Sequence, residues 1–390
     1  MAETLFSIGS LPVTNWALCV TLGSLAGVLV IWYLSIRRKM NGDATALLVP
    51  LTVFLSVLLG HGLFAVLSCL LDPYVQETVG ASLLGYVFRP DKGGYMGLGV
   101  LGGLFLSALI VSRIKKVSFQ ELLKAGLPGV LLAVGVAKWG EWLCGQGTGP
   151  EAATCFFPVS FLPEPDYPDW RVISVFWLGG LFAVCLALWG IIGAHRKDGV
   201  RPVTLLVCYL SGQVLWDMLR EDSYIHYLAM NFIRMDQLFS VLVLTGLMIW
   251  ATVRIRPGVP KGMIGKTALL LAGILLLVGG LVLQGRELPA VGVLPGWVLI
   301  VLMAVGAAVT VLAVFMLCKV RGTGVFRWWA LMLISVGLCV AMQFMFDKPL
   351  PLFGELIYFP GWLVYALIGV TGVLMGLSTL MLLKLARKKV

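Results

Sequence analysis

The stretch VTNWALCVTLGSLAGVLVIWYLSIRRK (residues 13–39) decides the fold. Twenty-four residues, 13–36, pass without a charge, and then Arg37, Arg38 and Lys39 arrive together. An α-helix rises 1.5 Å per residue, so about 20 apolar residues cross the roughly 30 Å hydrocarbon core of a bilayer. The basic triplet then stops the span at the polar interface. Ten further apolar runs follow, at about 46–71, 95–112, 125–144, 172–194, 202–219, 236–253, 267–285, 294–317, 328–346 and 361–383. Composition agrees. Of 390 residues 59% are hydrophobic and only 12% charged, about half the charge a soluble domain needs to keep its surface in water. The fold class is therefore all-α, a polytopic transmembrane helical bundle of about eleven spans. The 46 glycines suit close helix approach in such a bundle.

Orientation follows from the loops. One alternating set holds 21 of the 29 basic residues, in clusters around Arg37–Lys39, Arg113–Lys124, Arg196–Arg201, Arg254–Lys266, Lys319–Arg327 and Lys384–Lys389. The other set holds seven: Arg89, Lys92, Arg171, Arg220, Arg234, Arg286 and Lys348. The positive-inside rule assigns the richer set to the cytoplasm, so the N-terminus is expected outside and the C-terminus in the cytoplasm. The net charge of +10 is then topogenic and no sign of nucleic acid. The N-terminal segment carries Glu3 and lacks a basic n-region, so the first apolar run is expected to be a retained helix. A Pro/Gly-rich basic linker, RIRPGVPKGMIGK (254–266), divides a seven-span module, 1–255, from a four-span extension, 256–390.

Eight cysteines offer no CxxC pair and no His/Cys cluster, so neither a metal nor a cofactor is expected. Six lie inside apolar runs; Cys144 and Cys155 share an outward loop and can pair if that compartment is oxidising. A charge inside a span is costly and marks a candidate site. Lys138 and Glu141 stand at i, i+3 on one face of span four, within AVGVAKWGEWLCGQGTG (133–149). The glycines at 135, 140, 145, 147 and 149 free the backbone there for close approach to a head group. A buried pair that only docks helices is the plainer reading. Span six ends in Gln213, Asp217 and Arg220, again with an i, i+3 pair, and Glu221 and Asp222 follow; snorkelling at the membrane edge is the plainer reading there. Arg234, Asp236 and Gln237 open span seven. Six glycines in the eleven residues 93–103 open span three, with no flanking strand to make a nucleotide loop. His61 lies within span two, as a helix-to-helix hydrogen bond or a site residue.

Residues 1–255 resemble the prolipoprotein diacylglyceryl transferases of bacteria. The resemblance rests on Asp217-Met-Leu-Arg220-Glu-Asp222-Ser223 and Ile233-Arg234-Met-Asp-Gln237-Leu-Phe-Ser240, which follow the family's E-x-x-R-x-D-S and I-R-x-x-Q-x-x-S. It rests also on residues 137–149, which stand where the family has G-R-x-G-N-F-x-N-x-E-x-x-G. Gly140 and Gly149 hold, whereas Lys138, Glu141 and Gln146 replace arginine, asparagine and glutamate. Leu98 stands where the family's GGxxxHGG carries its histidine. The resemblance implies a seven-span plasma-membrane enzyme that moves diacylglyceryl from the anionic phospholipid phosphatidylglycerol to the lipobox cysteine of a prolipoprotein signal peptide. Arg220 and Lys138 would be catalytic, holding the phosphoglycerol head group. Glu141, Asp217, Asp222, Arg234, Gln237, Tyr95, Gly94 and Gly149 would line the substrate site, with His61 and Gln146 as further members. Two other readings stay open: a homologue that binds anionic lipid or lipoprotein without transfer, and a membrane transporter.

Overall fold

The computed structural model describes residues 4–8, 11–71, 85, 87–88, 95–151, 160, 172–194, 200–220, 227–228, 233–255, 323–346, 350–352, 355–357 and 361–388, with scattered positions between 269 and 316. The expected spans at 267–285 and 294–317 lie largely outside them, as do Gly94, Asp222 and Cys155.

The described residues form nine long helices and four short antiparallel hairpins. The strands β1 (Thr4–Ile8) and β2 (Leu11–Thr14) lead into α1 (Asn15–Arg37), then α2 (Gly42–Leu71), α3 (Gly97–Lys115) and α4 (Phe119–Trp142). Next come β3 (Thr148–Glu151), β4 (Val172–Ser174), α5 (Val175–Gly193) and α6 (Pro202–Met218). The strands β5 (Tyr227–Leu228) and β6 (Ile233–Arg234) precede α7 (Met235–Arg254). The last elements are α8 (Thr323–Phe346), β7 (Leu350–Leu352), β8 (Glu355–Ile357) and α9 (Gly361–Lys388). Among the described residues, seven helical stretches are long and apolar enough to cross a membrane, in α1–α5, α7 and α9. The chain is thus a multi-pass α-helical membrane protein.

Each helix lies on an expected apolar run, with one instructive shift. α4 begins at Phe119 and ends at Trp142, so FQELLK (119–124), which precedes the apolar run, supplies its first turns. Glu121 there takes Arg38 at 3.3 Å and also pairs with Lys124, and Asp43 takes Lys115 at 3.6 Å. These ions tie one end of α1–α4 together. Inside the apolar layer, hydroxyls bond back along their own helix, as Ser107 does to the Gly103 carbonyl at 2.7 Å. The hairpins were not foreshadowed by the apolar pattern. They sit at helix starts and pair backbone groups where no helix can (Thr148 opposite Ser174, Tyr227 opposite Arg234).

Two compact units emerge, Met1–Gly212 with Leu219–His226, and Gln213–Met218 with Tyr227–Val390. In the first, α4 is central and packs against α1, α3 and α5. α1 and α4 cross at two glycines: a Cβ on Gly27 would stand 2.6 Å from the Gly129 carbonyl oxygen. α2 and α3 form a second close pair, where a Cβ on Gly99 or Gly103 would enter the backbone at Leu59–Gly60 or Leu55–Ser56. Ser56 adds a hydrogen bond of 2.8 Å to the Val100 carbonyl. Small residues thus set both contacts. In the second unit α7 packs on α9, and α8 on α9.

Candidate functional site

The end of α4 carries the first unit's site. Lys138 puts its ammonium 4.4 Å from the centre of the Phe176 ring, and Arg220 puts its guanidinium carbon 4.2 Å from the same centre. The sum of those distances, 8.6 Å, bounds the separation of the two charges. Each cation gains from the ring's negative face. An anion that reaches both would meet two positive charges. Three segments build the cluster: the last turn of α4, the first turn of α5 and the chain just after α6.

A glycine turn fixes the ring. Gly145 and Gly147 have φ of +76° and +69°, a region that side-chain-bearing residues rarely adopt. The Gly147 carbonyl accepts the Phe176 N–H at 3.2 Å, and a Cβ on Gly147 would enter the Phe176 ring. Two residues on, a Cβ on Gly149 would stand 2.7 Å from the Leu219 carbonyl oxygen. The strand β3 therefore lies against the residue that precedes Arg220. Trp139 donates its indole N–H to the Trp177 carbonyl at 3.0 Å, which fastens α4 to α5 beside the cluster.

A cavity of about 150 Å³ lies among α1, α2, α3 and α4. Trp16, Tyr95 and Glu141 line one end; Ile31, Thr52 and Gly129 line the other. Fifteen residues of α1 separate Trp16 from Ile31, about 22 Å of helix. Its wall is apolar but for a few hydroxyls and Glu141. Val53 and Val57 line it and are also 42% and 39% exposed, so the slot opens sideways between α1 and α2. The Tyr95 ring lies 5.9 Å from Trp16 and 5.7 Å from His61, which is fully buried. Leu98 occupies the first turn of α3, half-buried.

The second unit has its own polar cluster. Gln213 donates to the Asp217 carboxylate at 2.8 Å along α6, and Asp217 is 1% exposed. Gln237 accepts the Arg234 backbone N–H at 3.2 Å, closing the first turn of α7, and donates to the Val214 carbonyl at 3.3 Å. Arg234 is likewise buried.

The structure thus joins Lys138, Arg220 and Gly149 in one cluster, and Tyr95, Glu141 and His61 at the head of the slot. Gln146 lies in the turn between them, its N–H on the Glu141 carbonyl at 3.1 Å. Asp217, Arg234 and Gln237 form a group in the second unit. The i, i+3 reading of Asp217 and Arg220 is corrected: α6 ends at Met218, so Arg220 lies past the helix and in the other unit. Phe176 was not read from the sequence. It is one aromatic among many in an apolar run, and only Gly147 ahead of it hints that something large must fit.

A family model described as prolipoprotein diacylglyceryl transferase matches residues 3–252. The chain is similar to the phosphatidylglycerol–prolipoprotein diacylglyceryl transferase of Listeria welshimeri, at 23% identity over 266 residues, covering 64% of this chain and 90% of that one. It is similar to those of Shouchella clausii, 21% identical over 65% of this chain and 91% of that one, and Lysinibacillus sphaericus, 23% identical over 65% and 93%. The match spans α1 through nearly all of α7 and takes in the Lys138–Arg220 cluster, the slot and the Asp217–Gln237 group, so the chain belongs to the prolipoprotein diacylglyceryl transferase family.

Proposed function

We propose that the chain transfers diacylglyceryl from phosphatidylglycerol to the lipobox cysteine of prolipoproteins, at the outer face of the plasma membrane. The observation that carries this reading is the pair of cations, Lys138 and Arg220, on one ring beside the Gly145–Gly149 turn. A phosphodiester that reaches both meets two positive charges. The slot supports the same reading. It is apolar, opens toward lipid between α1 and α2, and is longer than one leaflet's roughly 15 Å of hydrocarbon. A lipid tail entering sideways would lie in it, with the glyceryl carbons near Tyr95 and Glu141.

In the reaction the cysteine sulfur forms a bond to the glyceryl carbon as the carbon–oxygen bond to phosphate breaks. The thiol gives up its proton, since the thiolate is the nucleophile, and the departing phosphate oxygen takes a proton up. Glycerol phosphate leaves, and Lys138 and Arg220 stabilise the charge that develops on it. Gly149 holds the backbone ahead of Arg220. Asp217, Asp222, Arg234 and Gln237 are the further substrate-binding residues that the family motifs imply, and the lipid and the signal peptide are the partners. The basic loops support an eleven-span topology with the N-terminus outside, which sets the cation pair on the outer side.

The test is made in cells depleted of their own transferase. The chain is expressed there and the mass of a model prolipoprotein is followed. A gain of one diacylglyceryl group that Arg220→Ala abolishes supports the proposal. A chain stably inserted in the membrane that produces no gain rejects it, and binding of phosphatidylglycerol vesicles without transfer would assign a lipid-binding role.

A further inference from the structure

The family match stops at residue 252, yet α8 and α9, which follow, are not built as an appendage. They share one compact unit with all of α7 and with the end of α6. A single stripe of α7 is buried along its whole length: Gln237, Ser240, Leu244, Met248, Ala251 and Thr252. Steps of three and four keep these residues on one face. Gln237, at the head of the stripe, joins the start of α7 to the Val214 carbonyl of α6. Thr252, at its foot, accepts the indole N–H of Trp329 from α8 at 2.9 Å and donates to the Met248 carbonyl at 2.7 Å.

Trp329 is 1% exposed and among the largest fully buried side chains. An indole N–H in apolar surroundings needs a partner, so this bond fixes the rotation of α7 as well as its position. α9 packs along α7 and also reaches α6, where a Cβ on Gly369 would stand 3.9 Å from Leu215. Leu215 lies midway between Gln213 and Asp217. Ser378 of α9, in turn, donates to the Met375 carbonyl at 2.8 Å and lies 3.7 Å from the Met332 sulfur of α8, where the two C-terminal helices meet.

We infer that α8 and α9 serve as a brace that holds the Gln213, Asp217, Arg234 and Gln237 cluster in register, with Trp329 as the positioning residue at the far end of α7. This rests on the reading of that cluster as part of the transferase site. Fifteen residues, about 22 Å, separate Gln237 from Thr252. A tilt of about 3° over that length moves the head of α7 by about 1 Å, a misplacement that can cost on the order of 100-fold in rate. Held at both ends, α7 cannot make that tilt.

The test compares the full-length chain with Trp329→Ala and with a control, Leu104→Ala, which opens the core of the first unit. Hydrogen exchange is read peptide by peptide, and transferase rates are taken alongside. Trp329→Ala is expected to raise exchange across 233–240 at least about fivefold while 119–142 keeps its rates. Its kcat should fall about tenfold or more with the lipid KM within about twofold. Leu104→Ala should raise exchange within 97–111 and leave 233–240 unchanged. Wild-type exchange at 233–240 in Trp329→Ala, or an equal rise throughout the chain, overturns the inference. If Trp329→Ala does not accumulate, Thr252→Val, which removes the acceptor, is judged by the same regional pattern. Should the wild-type chain lack transferase activity, the site reading fails, whereas the exchange pattern still decides whether α8 and α9 brace the cluster.

Discussion

Gly149 lies so close to Leu219 that a single added carbon would stand 2.7 Å from the Leu219 carbonyl oxygen. Arg220 is the next residue, so the packing of a glycine on β3 sets the starting point of a cation. Gly149→Val is therefore expected to lower kcat/KM for lipid transfer by about 10- to 100-fold, with the chain still inserted in the membrane. Gly149→Ala should lose less, because the strand can shift by a few tenths of an ångström. Rates of diacylglyceryl addition to a model prolipoprotein decide it; wild-type rates for the valine variant would separate this strand from Arg220.

Phe176 offers one ring to two cations. A cation over an aromatic ring gains about 0.5–2 kcal/mol. Phe176→Leu keeps the apolar bulk and removes the ring, so kcat/KM should fall by about 3- to 30-fold. Phe176→Tyr keeps the ring and should retain most of the activity. Equal rates for the leucine and tyrosine variants would mean that the ring serves only as packing.

The slot among α1–α4 narrows if its lateral opening is filled. Val57 lines it and faces outward between α1 and α2. Val57→Trp is expected to raise the KM for a lipid with long acyl chains by about tenfold while a short-chain analogue changes little. Parallel kinetics with the two lipids test this, and an equal effect on both would remove the slot from lipid binding.

Much of this was legible in advance. Apolar runs gave α1–α7, α8 and α9 because a membrane span must bury or shield every backbone group within itself, which leaves a strong signal. The positions of Lys138, Glu141, Asp217 and Arg220 were equally plain, since a charge in such a run stands out. The partnership was not. Lys138 and Arg220 are 82 positions apart in the chain and meet through Phe176, which no charge pattern marks. Asp217 and Arg220 are three apart, yet a helix end at Met218 divides them between two units. The brace from α8 and α9 was hidden for a similar reason, because Trp329 and Thr252 are ordinary residues whose value lies in one hydrogen bond.

Cys144 follows α4, outside the helical span, and is half-buried. Burial pushes its thiol above the ordinary value, and the nearby Glu141 and Cys19 act the same way against an opposing backbone hydrogen bond from Trp16. A raised value means less thiolate at neutral pH, and the thiolate is the reactive form. Alkylation of Cys144 by a maleimide should therefore be slow at pH 7 and rise through pH 9. Detergent unfolding at pH 8 should speed it by at least about threefold. Mass spectrometry of the labelled peptide reads both. A rate already at its plateau at pH 7 would contradict the burial of this thiol.

The glycine contacts have a mechanical meaning. Helices in which each glycine lies against the other's carbonyl oxygen, as at Gly27 and Gly129, have no room to slide or roll, and the seam at Gly99 and Gly103 is as tight. Each pair therefore behaves as a stiff plate. The compliance of this unit is left to the line where the plates face one another, and the slot runs along it. A lipid tail pressing in from the bilayer would spread the two plates like the covers of a book, without unpacking either. The width of that opening, more than the rigidity of any single helix, would then govern how fast lipid is exchanged.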